Sequence, residues 1–372
     1  MVRPRKIIVV AGARPNFMKV APIVEGLRAR PSAFQTCLVH TGQHYDEALS
    51  KVFFDELGIP RPDRNLEVGS SSHAQQTAEI MRRFEPVVEE MEPDAVVVVG
   101  DVNSTIACAL VAAKLGVQVV HVEAGLRSFD RTMPEEVNRV LTDAISDLLL
   151  VSEPSGVENL RNEGVPEKKI HLVGNVMIDT LLRHRREAER STVLEKLGVK
   201  PGEYAVLTLH RPSNVDKTKT LLQILDALDR VGREIPILFP VHPRTLQRVS
   251  VAGLRDALEN TSGLKTLPAL GYLDFLKLQA EARLVITDSG GIQEETAVLR
   301  VPCVTIRKNT ERPMTITHGT NVLAGTEPEE ILSACLRAIR GEWRIPKTIP
   351  DLWDGRTAER ILPLFESELH LL

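Results

Sequence analysis

At 372 residues, 43% hydrophobic and 26% charged, the chain reads as a soluble globular protein with enough core for two domains. A net charge of -4 gives no electrostatic reason to expect nucleic acid or an anionic membrane as partner, and Cys37, Cys108, Cys303 and Cys335 are too scattered for a disulfide framework or a zinc site, which suits the reducing cytosol. No apolar run approaches the roughly 20 residues of a membrane span, and Ile7 to Val10, behind a basic start, is too short for a signal peptide.

Taken in order, the first half alternates helical segments with apolar runs: KIIVVAG from Lys6, TCLVHTG from Thr36, AVVVVGD from Ala95, VQVVHVEAG from Val117, DLLLVSE from Asp147 and KIHLVGN from Lys169. Near-continuous Val, Ile and Leu, without strict alternation, predict parallel strands buried on both faces. The second half repeats the plan with YAVLTLH from Tyr204, PILFPVHP from Pro236, LKTLPAL from Leu264, LVITDSG from Leu284, PCVTIRK from Pro302 and NVLAGT from Asn321. Two doubly wound α/β domains are expected. The charged stretch Thr180 to Tyr204, ending in Gly198 and Pro201-Gly202, offers a boundary. A ligand is expected in the cleft between the domains, at the carboxyl ends of the strands.

The chemistry-bearing residues sit at those strand ends. Arg14 and Lys19 flank a helix start after the first strand, where they suit an anionic group or a solvated basic turn alike. Gln43, His44 and Asp46 follow the second strand as a polar cluster that a surface loop explains equally well. Asp101 ends the third strand, either as a functional carboxylate or as a helix N-cap. Glu123 and Arg127 follow the fourth, and Glu135, Glu136 and Arg139 come next. Were Asp101, Glu123 and Glu135 to converge, like-charge crowding would raise at least one pKa and keep a proton for general acid work. His210 and His242 end two strands of the second half, an equivalence that favours a site over two structural histidines.

The densest stretch is Leu284 to Glu295, LVITDSGGIQEE. It packs a buried strand, a glycine turn and a helix start into twelve residues. Gly290 and Gly291 allow close backbone approach, and the free N–H groups of the helix start with the Ser289 hydroxyl suit phosphate oxygens, although any capped strand-to-helix turn would share the pattern.

GARPNFMK, TGQHYDE, GD-x-NST, HVEAGLRS, MPEEVNR, LTLHRPSN, PVHP, TDSGGIQEE and Thr310-Glu311-Arg312-Pro313 occur in the order seen in the non-hydrolysing UDP-N-acetylglucosamine 2-epimerases, and the resemblance spans nearly the whole chain. It implies a GT-B-like architecture of two Rossmann-like domains, here 1–173 plus 355–372 and 174–354, with the last helix, Thr357 to Leu372, crossing back to the first domain. It implies interconversion of UDP-GlcNAc and UDP-ManNAc without cofactor or metal, by a cytoplasmic homodimer serving cell-surface polysaccharide synthesis. In residue terms it makes Asp101 and Glu135 the acid/base pair with Glu123 and His210 in support. The diphosphate falls to Arg14, His210, Arg312 and the Ser289, Gly290 and Gly291 amides, the ribose to Glu295 and the uracil pocket to Phe275, with Lys19 also among the residues that bind the UDP-sugar. A second, activating UDP-sugar would draw on Gln43, His44, Arg211 and His242 with Glu135. Two stretches depart from the family. Ser213 stands where many relatives carry a glutamate, which leaves the sugar open, a 2,3-diacetamido uronic acid nucleotide included. Gly69 to His73 lacks a substrate-binding arginine, which predicts weak activation or none. A hydrolysing variant, a glycosyltransferase of the same architecture and a non-catalytic UDP-sugar sensor are the alternatives.

Overall fold

A computed structural model describes residues 3–12, 14–42, 58, 61–241 and 243–369. The chain divides into two compact units: Met1–Arg183 with Asp351–Leu372, and His184–Pro350.

In the first unit the described strands are β1 (Arg5–Ala11), β2 (Phe34–His40), β3 (Arg64–Asn65), β4 (Ala95–Val99), β5 (Gln118–Ala124), β6 (Leu148–Val151) and β7 (Ile170–Leu172). They form one parallel sheet in the order β3-β2-β1-β4-β5-β6-β7. Its centre is fully buried: Ile7 to Val9 and Val96 to Val98 expose nothing to solvent. Each such side chain contributes about 1.5–3 kcal/mol through burial, which is why these runs carry no polar alternation. The helix Asn103–Lys114 is apolar on nearly all sides and lies buried over this sheet.

The returning C-terminal segment belongs to this unit, as the resemblance implies. The Trp353 indole is fully buried and donates to the Ser152 carbonyl at 3.0 Å. Asp179 accepts from the N–H groups of Thr357 (3.0 Å) and Ala358 (2.8 Å), capping the helix Thr357–Glu368 with a negative charge at its positive end. Leu362 of that helix fits against Gly26, where a Cβ would approach it to 2.6 Å.

The second unit carries β8 (Ala205–Thr208), β9 (Ile237–Pro240), β10 (Leu264–Leu267), β11 (Leu284–Thr287), β12 (Cys303–Thr305) and β13 (Asn321–Leu323), all parallel in the order β10-β9-β8-β11-β12-β13. Both sheets therefore reverse direction of winding once, between β1 and β4 and between β8 and β11. Doubly wound sheets bind ligands outside the carboxyl ends of the strands at such a reversal.

Candidate active site

In the first unit the residues after β1 and β4 are tied to each other at the reversal. Asn16 donates from Nδ2 to the Val99 carbonyl at 2.9 Å, and Lys19, on the helix Arg14–Arg28, forms a buried ion pair with Glu123. Gly100 has φ +72°, and a Cβ there would stand 3.2 Å from Glu123 Oε2 and 3.7 Å from Lys19 Nζ. Glycine takes this φ without strain, and any side chain there would crowd Glu123. Glu123 itself has φ +75° and lies where β5 slips register against β6 between Val122 and Ala124. A glutamate in the left-handed region costs about 1–3 kcal/mol and persists only where the surroundings impose it. The bulge turns Glu123 towards Lys19.

Asp101 is not a helix cap. The N-cap of Asn103–Lys114 is Val102, and the Asp101 carboxylate goes instead to Arg139 Nη2 at 2.5 Å. Arg139 comes from the helix Pro134–Ile145, which opens on proline with Glu135 and Glu136 in its first turn, as the helix dipole favours. Asn138 of the same helix donates to the Asp101 carbonyl at 2.9 Å. Glu135 is half-buried beside it. The expected crowding of like charges gives way to alternation: Asp101 faces Arg139 and Glu123 faces Lys19. Beneath them His121 spans Asp143 (2.6 Å from Nδ1) and the Gly100 carbonyl (2.8 Å from Nε2). Burial raises the Asp143 pKa, but His121 and Arg127 outweigh it and hold the carboxyl below its usual range.

In the second unit the reversal between β8 and β11 is bridged by Asp288 and His210. Asp288 is fully buried and accepts from the backbone N–H groups of His210 (3.0 Å) and Arg211 (2.8 Å) and from Asn214 Nδ2 (3.2 Å). Its Oδ1 lies 3.0 Å from His210 Nδ1. Burial would raise the Asp288 pKa; the hydrogen bonds and charge of His210, with the Arg211 N–H, hold it below the usual range instead. The imidazole is 45% exposed, so its orientation is fixed from beneath while its other face stays open to a ligand.

Ser289 precedes the helix Gly290–Leu299 as its N-cap, with no hydrogen bond from its side chain to the helix, and Gly290 and Gly291 supply the first N–H groups. A Cβ on Gly290 would stand 2.6 Å from Arg312 Nη1, so only glycine lets the guanidinium lie against the helix start. Arg312 is ion-paired through Nε with Glu294 (2.7 Å) and through Nη1 with Glu311 (2.6 Å). Glu311 also meets Arg307 at 2.7 Å and Arg211 at 3.6 Å. Against its burial, Arg312, Arg307 and Arg211 hold the Glu311 pKa well below the usual range. The helix start thus adjoins three guanidiniums and two buried carboxylates, Glu294 and Glu311, a balance that leaves one positive charge in excess beside the helix N–H groups.

Glu295, one turn into the same helix, is buried against Gln279 and Tyr272, and its pKa is pushed up to about 7. Burial is the main cause; the hydrogen bond of Gln279 opposes it and the charge of Glu294 adds to it. Tyr272, Phe275 and Gln279 share the helix Tyr272–Ala280 at i, i+3 and i+7, and Phe275 packs half-buried on the same apolar cluster as Ile292.

Thus Lys19, Glu123 and Asp101 are joined through one turn in the first unit, with Glu135 in the adjoining helix. His210, Ser289, Gly290, Gly291, Arg312, Glu295 and Phe275 surround one helix start in the second. Arg211, expected at an activating site, lies with Asp288 and Glu311 in that same corner. Gln43, His44 and His242 lie outside the described residues, as does the side chain of Arg14. Gly69 to His73 contributes a helix cap: Ser72 Oγ accepts from the Gln75 N–H at 3.3 Å. Sequence reasoning missed Asp288 as the partner of His210 and Glu294 and Glu311 as those of Arg312, although all three adjoin residues it chose. Tyr272 and Gln279 gave no signal, since their spacing reads as an ordinary helix face. Among the described residues no helix is long and apolar enough to cross a membrane.

Residues 26–366 match the family model described as UDP-N-acetylglucosamine 2-epimerase. The chain is 42% identical over 348 residues to UDP-N-acetylglucosamine 2-epimerase of Methanococcus maripaludis, covering 92% of this chain and 94% of that one. It is 40% identical over 354 residues to UDP-2,3-diacetamido-2,3-dideoxy-D-glucuronate 2-epimerase of Pseudomonas aeruginosa, covering 94% and 95%. The crystal structure of Methanocaldococcus jannaschii UDP-GlcNAc 2-epimerase in complex with UDP-GlcNAc and UDP superposes with a TM-score of 0.90 at 40% identity, covering 97% of this chain and 99% of that one. With the match running through both units and close to full length in each relative, the chain belongs to the UDP-N-acetylglucosamine 2-epimerase family.

Proposed function

We propose that the protein interconverts UDP-GlcNAc and UDP-ManNAc, without NAD or a metal ion, by anti elimination of UDP and its re-addition. C2 of the sugar is not adjacent to a carbonyl carbon, so its proton is too weakly acidic to be removed directly. As the C1–O bond breaks and its electron pair leaves with the diphosphate, positive charge at C1 acidifies the C2 proton, which passes to a carboxylate. The product is 2-acetamidoglucal with UDP still bound. A carboxylic acid on the other face then returns a proton to C2 while a β-phosphate oxygen of UDP re-forms the bond to C1, and the two carboxyl groups have exchanged roles.

Asp101 and Glu135 are assigned to proton transfer, with Glu123 in support. The second unit holds the nucleotide: diphosphate at the Gly290 helix start with Arg312 and His210, ribose at Glu295, uracil against Phe275. The observation that carries the reading is the Asp101–Glu123 pair, two carboxylates at the ends of adjacent strands, one of them on a strained bulge and each held by its own cation. A glycosyltransferase of the same architecture would need an acceptor, which the test below does not supply.

A second reading is favoured by the Pseudomonas aeruginosa relative and by Ser213, which is exposed beside the His210 corner: the sugar is a 2,3-diacetamido uronic acid. The test is incubation with UDP-GlcNAc in deuterated water, with no acceptor, nicotinamide or metal. Deuterium at C2 with UDP-ManNAc as product is expected. An absolute requirement for NAD or a divalent ion would refute the mechanism, and free ManNAc with UDP would indicate a hydrolysing enzyme. Inertness towards UDP-GlcNAc with turnover of the uronic acid nucleotide would establish the second reading.

A further inference from the structure

The two glutamates of Pro134-Glu135-Glu136 meet different surroundings. Glu135 is half-buried, whereas Glu136 is 2% exposed and its carboxylate is saturated with donors: Ser128 N and Oγ and Phe129 N, each at 2.9 Å, and Nη1 of Arg139. Nη2 of the same guanidinium lies 2.5 Å from Asp101 Oδ2. We propose that Glu136 is a positioning residue that sets Asp101 through Arg139.

The guanidinium is planar and offers its N–H groups in a fixed fork, so the carboxylate that takes one arm determines where the other points. Glu136 cannot swing, because the loop around it is fixed as well: Phe129 keeps φ +58° while donating to Glu136. Asn138, on the same helix, holds the Asp101 carbonyl, so side chain and backbone of Asp101 are both referred to one helix. One buried positive charge is shared between two carboxylates. The fraction of it that Glu136 takes is withheld from Asp101, and the ease with which Asp101 gives up or accepts a proton follows from that division. Among the described residues, the other charged or titratable groups around the Asp101 turn are Lys19, Glu123, Glu135, His121 against the Gly100 carbonyl, and His73 through Asn103. None of them bonds to Glu136, so substituting Glu136 leaves them in place.

This rests on the assignment of Asp101 to proton transfer, and the test separates the two. The pH dependence of kcat is measured for the wild type, Asp101→Asn, Glu136→Gln and Arg139→Gln. Glutamine keeps a carbonyl for the two Ser128 donors, turns its amide nitrogen towards the Phe129 N–H and carries no counter-charge, so a larger share of the Arg139 charge falls to Asp101. The limb of the profile due to Asp101 is expected to move to lower pH by roughly one unit. In Arg139→Gln the cation is gone, and the same limb is expected to move to higher pH. Opposite displacements are the signature of charge division; a purely structural role would lower kcat without them. If Asp101→Asn turns over near the wild-type rate, the assignment of Asp101 fails. If Asp101→Asn is inactive and the other two profiles coincide with the wild type, or move the same way, the role of Glu136 fails. Should Arg139→Gln not fold, Glu136→Gln decides alone, with an unmoved limb overturning the proposal.

Discussion

Arg312 is given two duties by its surroundings, and replacing it by Ala separates them. Its Nε lies 2.7 Å from Glu294, which exposes nothing to solvent, and its Nη1 lies 2.6 Å from Glu311. In the variant Glu311 keeps Arg307 at 2.7 Å and Arg211 at 3.6 Å, whereas Glu294 loses its ion pair with Arg312. Removing one partner of a buried ion pair costs about 3–5 kcal/mol, mainly as the uncompensated charge left behind. Urea denaturation should register a loss of that size in the second unit. The nucleotide loses a charge-assisted pair worth roughly 1.5–3 kcal/mol, a Kd for UDP raised about 10- to 150-fold by calorimetry. The double variant Arg312→Ala, Glu294→Gln no longer buries the Glu294 charge, so most of the stability should return while the affinity stays low. Stability within about 1 kcal/mol of the wild type in the single variant would refute the ion-pair argument. Unchanged affinity would remove Arg312 from the nucleotide site.

Glu295→Gln should change how stability depends on pH. The folded carboxyl titrates near 7 against an ordinary 4.5, so between those values the folded state holds a proton that the unfolded state has lost, and stability falls as pH rises. The wild type should lose about 3 kcal/mol across that window and the variant should not; parallel curves from pH 4.5 to 7 would dismiss the burial argument. Asp288→Asn should lower turnover roughly 10- to 150-fold by releasing the His210 ring from a charge-assisted contact, with the fold retained, and a near-normal rate would show that His210 needs no such anchor. Asp101→Asn and Glu135→Gln should each cost about 10²–10⁴-fold in turnover while UDP still binds, a near-wild-type rate in either removing that residue from the pair.

The strands were legible because burial on both faces of a parallel sheet leaves a run such as Ala95-Val-Val-Val-Val99 that no other element explains. β3 was not, since Arg64-Asn65 is two exposed polar residues at an edge, where pairing follows from the neighbouring β2 and not from side-chain character. Strand-end positions were legible for the same reason as the strands: Asp101, Glu123, His210 and Ser289 each stand where an apolar run stops. What each of them bonds was not. Lys19 and Glu123 are 104 residues apart, and His210 and Asp288 are 78 apart; only the order of strands in the sheet brings them together. The crowding expected of the carboxylates failed on this point, because it counted the acids and left out the cations that the topology delivers to them.

The two units solve different problems at the same topological place. Between Asp288 and Gly291 no residue has a positive φ; the corner depends on the missing Cβ of Gly290, which lets Arg312 lie against free N–H groups. An anion held by amides and guanidiniums needs space and field more than a single orientation. At the ends of β4 and β5, by contrast, Gly100, Glu123 and Phe129 all take left-handed backbone, and the carboxylates among them are fixed by Lys19, Arg139 and Asn138. Strain of about 1–3 kcal/mol at each non-glycine position is tolerable only if a precise direction is what the surroundings impose. Proton transfer to a carbon demands such direction, because the acceptor must meet one C–H bond along its axis, whereas a diphosphate can be met from many sides. On the proposed reaction the strained turns at β4 and β5 are therefore where protons are handled, and the unstrained corner at Gly290 is where the nucleotide is held.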